Sequence, residues 1–137
     1  MYGGYVMAKY VYPAVFTPEE QGGYSVNFPD LESCYTCGDN LADAIYMAED
    51  VLAFTLYDYE KQHRDIPKPG EFRSVHCEPG EFVNLIVCDT LHYQKRFNNR
   101  AVKKTLSIPE WLNEVALENH INFSQLLQEA LMEKCKV

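Results

Sequence analysis

The sequence lacks a long apolar run, and its basic residues are few and unevenly placed. Its first six residues show neither the charged segment nor the apolar core of a signal peptide, and no stretch is long enough for a transmembrane helix. The five cysteines form an odd set, which favours free thiols in a reducing compartment. We therefore expect a cytoplasmic protein without a membrane segment. An alternative start at Met7 would make residues 1–6 an extension.

Charge divides the chain into two parts of opposite sign. Residues 1–93 carry fifteen acidic and five basic side chains, whereas residues 94–137 carry five acidic and seven basic ones. Five of these cations fall between Lys95 and Lys104, where there is no acid. An acidic front half suits a basic protein partner, and a basic joint suits phosphates. The alternative is a solvated charge cluster at a domain joint.

In the front half, short stretches of alternating apolar and polar residues predict strands, and one longer stretch predicts a helix. Strands are predicted at 9–16, 24–28, 34–37, 72–77 and 81–88. Asn40 is a good N-cap, and apolar residues then recur at three and four positions up to Tyr59, which indicates a helix with one buried face. The order βββαββ predicts an α+β fold with a mostly antiparallel sheet, and residues 89–99 are interpreted as a connector.

The segment 100–108 is short, basic and alternating. Lys103, Thr105 and Ser107 fall on one face of the predicted strand. Val102, Leu106 and Ile108 fall on the other, with Lys104 as an imperfect member. Two such strands paired antiparallel make a ribbon that fits the major groove of DNA. Two helices are predicted to follow, one begun by Pro109 and the other capped by Asn122.

A strand and two helices of ~35 residues are too few to bury their own apolar surface as a monomer. We therefore predict a homodimer and leave a tetramer open. The expected dimer core consists of Leu106, Ile108, Trp111, Leu112, Val115, Leu126, Leu127 and Leu131.

Catalytic and metal chemistry finds little support in the sequence. The first strand has no acid, whereas a ribonuclease-H-type enzyme needs one there, and Asp30, Glu32 and Asp39 lie in predicted turns. Cys34 and Cys37 would need further zinc ligands, and the only candidates do not form a second tight pair: Cys77, Cys88, His76 and His92. We therefore predict no catalytic residue, no metal and no cofactor, and hence no enzyme. A base-stacking role of the tyrosine-rich strands remains an alternative.

Two stretches resemble known families. The alternating basic strand, Pro109, a helix, and then residues 119–127 resemble the ribbon-helix-helix repressors of the Arc and MetJ type. The front half, in residues 22–34, 36–41 and 66–69, closely resembles the HicB antitoxin family. Together the two resemblances cover nearly the whole chain.

The HicB resemblance implies an antitoxin of a type II toxin–antitoxin pair. Residues 1–93 would form a partial ribonuclease-H-like domain that masks a small basic mRNA-cleaving toxin of the HicA type. Residues 94–100 would connect it to a ribbon-helix-helix domain at 101–137 that represses the shared operon by binding operator double-stranded DNA. The ribbon-helix-helix resemblance implies that Lys103, Thr105 and Ser107 face the bases. We expect phosphate contacts from Arg100 and from the free backbone N–H groups near Asn122, Phe123 and Ser124.

Two questions stay open at this point. The predicted helix carries acids that form either a toxin-binding surface or an ordinary solvated face: Asp43, Glu49, Asp50, Asp58 and Glu60. The function could also be that of an orphan regulator whose front domain senses a ligand or protein, or of a nuclease relic that binds RNA.

Overall fold

The structure is a computed structural model that describes residues 9–137. Residues 1–8, including the alternative start at Met7, lie outside the described residues. The chain forms two compact units, one ending at Asn99 and the other beginning at Arg100. In the described part of the chain, no helix combines the length and the apolar character needed to cross a membrane.

The front unit contains an antiparallel sheet of four described strands. They are β1 (Lys9–Pro18), β2 (Tyr24–Asn27), β3 (Tyr35–Gly38) and β4 (Phe82–Asp89), in the order β3-β2-β1-β4. Pro13 stands in β1, an interior strand, although proline cannot donate to a ladder. The register explains this, because β2 pairs with β1 only from Val15 onward, whereas β4 pairs from Lys9 to Phe16. Pro13 therefore has a paired strand on one side alone.

Helix α1 (Leu41–Lys61) covers one face of this sheet. The side chain of Asn40 accepts a hydrogen bond from the Asp43 N–H at 2.9 Å, as the sequence predicts, and Asp43 in turn accepts from the Asp39 N–H. The predicted apolar stripe is confirmed except at Leu41, which is exposed. Gly38 permits the close approach of strand and helix, because a Cβ there would lie 2.3 Å from the Ala44 nitrogen.

The core lies between α1 and the sheet. Alternate residues of the central strands point toward the helix, so Tyr12, Phe16 and Ile86 are fully or almost fully buried. Leu52 and Leu56 meet them from α1. Each such side chain contributes roughly 1.5–3 kcal/mol by leaving water, which makes this unit an independent hydrophobic core.

The structure corrects two predictions for the front unit. Residues 72–77 do not form a strand, since only a single 3₁₀ turn occurs at Phe72–Ser74. Their apolar residues Phe72 and Val75 are three apart and would point to opposite faces of a strand, so the segment lacks the one-sided apolar pattern of a half-buried strand. The order of strands and helices therefore becomes βββαβα.

The second correction concerns the connector. Thr90–Phe97 form a further helix, α2, so residues 94–97 of the predicted connector are helical. The Asp89 side chain caps α2 by accepting from the Leu91 and His92 N–H groups. The helix ends at Asn98. The predicted single-helix front domain thus has two helices.

The C-terminal unit contains helices α3 (Glu110–Glu118) and α4 (Phe123–Cys135). Pro109 is the N-cap of α3 rather than its first helical residue, and its carbonyl accepts from the Leu112 and Asn113 N–H groups. Asn119 ends α3. Residues 98–109 have no regular structure in the single chain, so the predicted strand at 100–108 is not formed there.

Candidate protein-binding and DNA-binding surfaces

The candidate base-reading residues lie in an extended, fully accessible segment. Lys103, Thr105 and Ser107 are all exposed, as is Arg100 at the start of the unit. Within residues 9–137, no strand pairs with this segment to satisfy its backbone N–H and C=O groups. The ribbon that the alternation predicts would take its second strand from another copy of the chain.

The N-terminus of α4 is capped as the sequence predicts. The Asn122 side chain accepts a hydrogen bond from the Gln125 N–H at 3.0 Å. The N–H groups of the first turn, at Phe123 and Ser124, have no helical carbonyl to donate to. These three predicted residues therefore come together at one helix end, which has the polarity that a phosphate group prefers.

The predicted dimer core is accessible to solvent in the single chain. Trp111 is 66% exposed and Leu106 64%, and no residue of α3 or α4 is buried. Of the eight predicted core residues, only Leu127 is half-buried, and the others are exposed: Leu106, Ile108, Trp111, Leu112, Val115, Leu126 and Leu131. Soluble monomers rarely expose so much contiguous apolar surface.

The structure sorts the acids of α1 into two groups. The Glu60 carboxylate accepts hydrogen bonds from the Tyr10 hydroxyl at 2.7 Å and from the Thr90 hydroxyl at 3.0 Å. Glu60 thereby ties α1 to β1 and to the start of α2. Burial, together with the bond to Glu60, raises the pKa of Tyr10 above its ordinary value. Glu60 is thus an internal tether, whereas Glu49 and Asp50 are exposed.

An aromatic cluster joins the outer surface of α1 to α2. The Tyr93 ring lies 4.7 Å from Phe97, 5.7 Å from Tyr57 and 6.3 Å from Phe54, measured between centroids. Asn98 donates to the Tyr57 hydroxyl at 3.1 Å and holds the end of α2 against α1. Despite these contacts, Phe54 is 57% exposed and Phe97 is 59% exposed. The cluster is therefore ordered and still largely open to a partner.

A cleft of about 510 Å³ opens at the turn side of the sheet, and Asp30 and Glu81 line it. Asp30 accepts from the Gly70 N–H at 3.0 Å. Glu81 accepts from the Thr17 hydroxyl and the Glu78 N–H, and these bonds lower the pKa of its carboxyl. Both acids hold loops in place. Across residues 9–137, no three His, Cys, Asp or Glu side chains are arranged to hold a metal ion.

The two cysteines of the C-x-x-C segment occupy different environments. Cys34 is buried in the core and accepts a contact from the Thr55 hydroxyl, while Cys37 is exposed on β3. Burial raises the pKa of the Cys34 thiol, and it raises the pKa of the buried Cys88 thiol to about 12. All five cysteines carry free thiols. Cys34 and Cys88 therefore behave as small apolar core residues.

The chain matches a family of known proteins. A family model described as the HicB-like antitoxin of bacterial toxin–antitoxin systems matches residues 12–130. The chain belongs to the HicB-like antitoxin family. Antitoxin HicB 2 of Photorhabdus laumondii is 26% identical over 122 residues, which are 88% of this chain and 87% of that protein. Antitoxin HicB 1 of the same species is 36% identical over 66 residues, 48% of this chain and 43% of that protein.

Solved structures agree with the HicB assignment. A chain of a toxin–antitoxin complex from Streptococcus pneumoniae has a TM-score of 0.60 and 26% identity, over 92% of this chain and 99% of that one. The antitoxin HicB of Burkholderia pseudomallei has a TM-score of 0.52 at 16% identity, a likeness of fold alone. The match to Antitoxin HicB 1 spans less than half of that protein's length.

Within this HicB chain, sequence reasoning missed the aromatic cluster and the role of Glu60. Both depend on α2, which was interpreted as a connector. A signal was present, because Tyr93 and Phe97 are four residues apart and Asp89 stands at the N-cap position. The contact of Tyr10 with Glu60 joins residues fifty positions apart, and no local pattern predicts it.

Proposed function

We propose that this HicB-like chain binds and masks a small, basic, mRNA-cleaving toxin of the HicA type and represses its own operon. The observation that carries the proposal is the family match over residues 12–130, together with the likeness to a chain of a toxin–antitoxin complex over nearly its whole length. The front unit would hold the toxin, and the C-terminal unit would form the dimer and bind operator DNA.

The charge of the front unit supports a toxin partner. A protein that cleaves RNA needs a basic surface, and the front unit, which ends at Asn99, carries fifteen acidic and seven basic side chains. The same charge disfavours the alternative of an RNA-binding nuclease relic, because phosphates would be repelled. The loop-holding roles of Asp30 and Glu81 also weigh against a catalytic centre in the cleft.

The C-terminal unit supports DNA binding through a ribbon. In a dimer, the extended segments 100–108 would pair, place Lys103, Thr105 and Ser107 on the groove side, and bury Leu106 with Ile108. The exposed apolar residues of α3 and α4 would then be covered. The free N–H groups at the start of α4 would donate hydrogen bonds to a backbone phosphate of the operator.

A gel-shift experiment tests the division of labour. The DNA is the promoter-proximal fragment upstream of this chain's own gene, and the toxin probe is the small basic protein encoded by the adjacent gene. We expect Lys103→Ala and Thr105→Ala to weaken DNA binding by roughly 10- to 100-fold each and to leave toxin binding unchanged.

Lys134→Ala removes the same charge near the end of α4 and serves as the matched control. If Lys103→Ala weakened toxin binding as much as DNA binding, the two-module assignment would be wrong. If the wild-type chain shifted DNA but bound no neighbouring protein, an orphan regulator with a sensing front domain would replace the antitoxin.

A further inference from the structure

The outer surface of α1 and α2 carries an aromatic patch that the internal fold of the front unit leaves open. We define the patch as Tyr46, Met47, Phe54, Tyr57, Tyr93 and Phe97. Tyr46 is 71% exposed and Met47 41% exposed. Aromatic residues and methionine are enriched at protein interfaces relative to the rest of the surface. The ring contacts of Tyr93 hold Phe54, Tyr57 and Phe97 in place before any partner arrives, which lowers the entropy that this part of the patch loses on binding.

Carboxylates are interleaved with the patch on α1. Residues three and four apart on a helix are neighbours, so Met47 lies between Asp43 and Asp50, and Tyr46 lies beside Glu49 and Asp50. On the other side, the Arg96 guanidinium stacks over the Phe97 ring at 4.9 Å from its centroid. The Phe97 ring therefore already has a cation of the same chain over it, and the rings and carboxylates presented together to a partner are those on α1.

A second apolar surface exists on the front unit but has a different chemistry. The sheet face opposite α1 exposes Val11, Leu85 and Val87, and β4 contributes no acid before Asp89. These aliphatic side chains offer area without rings or charge. That face is suited to apolar packing, whereas the aromatic patch offers rings and carboxylates for the cations of a basic protein.

Resting on the function proposed above, we propose that the aromatic patch with Asp43, Glu49 and Asp50 is the docking surface for the basic toxin. An RNA offers a binding protein two things, the faces of its bases and its phosphates. The patch offers the equivalents, ring faces and carboxylates, at one place. Arginine and lysine side chains that bind RNA would therefore stack and pair here, and the toxin's RNA-binding surface would be covered.

The proposal is tested by titrating the full chain with the purified small basic protein encoded by the adjacent gene. Tyr46→Ala and Phe54→Ala should each weaken binding by roughly 30-fold or more, as expected for aromatic anchors at the centre of an interface. The double charge reversal Glu49→Lys with Asp50→Lys should weaken binding further and reduce its dependence on salt.

Two matched controls locate the surface. Leu85→Ala and Val87→Ala remove similarly exposed apolar side chains from the opposite sheet face, and Glu20→Lys with Glu32→Lys makes the same charge change at exposed turns. Both controls should stay within about twofold of wild type, as near-neutral positions do. Thermal unfolding of every variant checks the fold, and Tyr46 is the safest probe because its ring makes none of the described aromatic contacts.

The outcomes separate this proposal from the one on which it rests. A wild-type chain that does not bind the basic protein would overturn the antitoxin function itself. Wild-type binding that survives Tyr46→Ala, Phe54→Ala and the charge reversal, but is lost in Leu85→Ala with Val87→Ala, would keep the function and move the docking surface to the sheet.

Discussion

The two units of the chain differ in how they bury apolar surface. The front unit encloses fourteen buried residues between one helix and a four-stranded sheet. The C-terminal unit has similar apolar content in α3 and α4 but buries none of it, and Trp111 remains 66% exposed. We therefore regard the front unit as a finished module and propose that the C-terminal unit is half of a module.

The two units should therefore be stabilised in different ways. The front core is intramolecular, so its free energy of unfolding is independent of protein concentration. The C-terminal unit would gain its core only by pairing with a second copy, so its stability would rise with concentration. Leucines placed in the two units therefore make a direct test.

Leu52→Ala and Leu126→Ala are the largest perturbations that this comparison offers. Leu52 is fully buried, so its truncation should cost about 2–5 kcal/mol of front-unit stability at every protein concentration. Leu126 is 53% exposed in the single chain, yet in the predicted dimer its truncation should cost about 2 kcal/mol or more and weaken dimerisation. Urea unfolding at two concentrations and sedimentation equilibrium measure both effects.

The surface residue Met132 supplies the control, since it is 51% exposed in α4 and lies outside the predicted dimer core. Met132→Ala should leave sedimentation unchanged. A wild-type chain that sediments as a monomer at micromolar concentration, with Leu126→Ala equally stable, would show that the C-terminal unit is not half of an intertwined core.

How far the sequence could predict the fold depended on the range of the interactions. Asn40 and Asn122 were recognisable as caps because the donor lies three residues away. The strand proposed at 72–77 failed because pairing in a sheet is decided by partners distant in sequence, which the local pattern of these residues does not show. Helix α2 was missed because its anchors, Phe54, Tyr57 and Glu60, belong to another helix.

The candidate surfaces were also predictable only where local interactions decide them. The alternation of Lys103, Thr105 and Ser107 is local and could be read directly, and their role in DNA binding stays a prediction. The acids of α1 could be placed on a helix, but Glu60 could not be separated from Glu49 without the Tyr10 and Thr90 contacts.

Alkaline pH should loosen the front unit through its buried thiols. The Cys88 pKa rises from an ordinary value of 9.0 to about 12, because burial disfavours the thiolate. Above pH 9 the unfolded chain therefore loses a proton that the folded chain retains, so the free energy of unfolding falls as pH rises. The Cys88 thiol should remove about 1 kcal/mol between pH 8 and pH 10.

Cys88→Ala should make that loss smaller by about 1 kcal/mol, although truncation itself lowers stability at pH 7. Urea unfolding under reducing conditions at pH 7, 8, 9 and 10 measures the slope, which is the change in the free energy of unfolding per pH unit. Exposed Cys37 is the matched position, and Cys37→Ala controls for the loss of a thiol that lies outside the core. An unchanged slope in Cys88→Ala would show that this thiol does not contribute to the alkaline loss.

The smallest and most closely matched test uses the two asparagine caps. Asn40 accepts from the Asp43 N–H at 2.9 Å, and Asn122 accepts from the Gln125 N–H at 3.0 Å. Replacing either by alanine should cost about 1 kcal/mol, because one N–H of the first helical turn loses its acceptor. The chemistry of the change is the same in both units.

What should differ is the observable that responds. Asn40→Ala should lower the melting temperature of the front unit by the same amount at every protein concentration. Asn122→Ala should lower the melting temperature of the C-terminal unit, and that melting temperature should depend on protein concentration. It should also weaken DNA binding, because α4 would carry both dimer-core residues and the N–H groups that face a phosphate. If both variants shifted one concentration-independent transition, the front and C-terminal units would unfold together, and the division into a finished module and half of a module would fail.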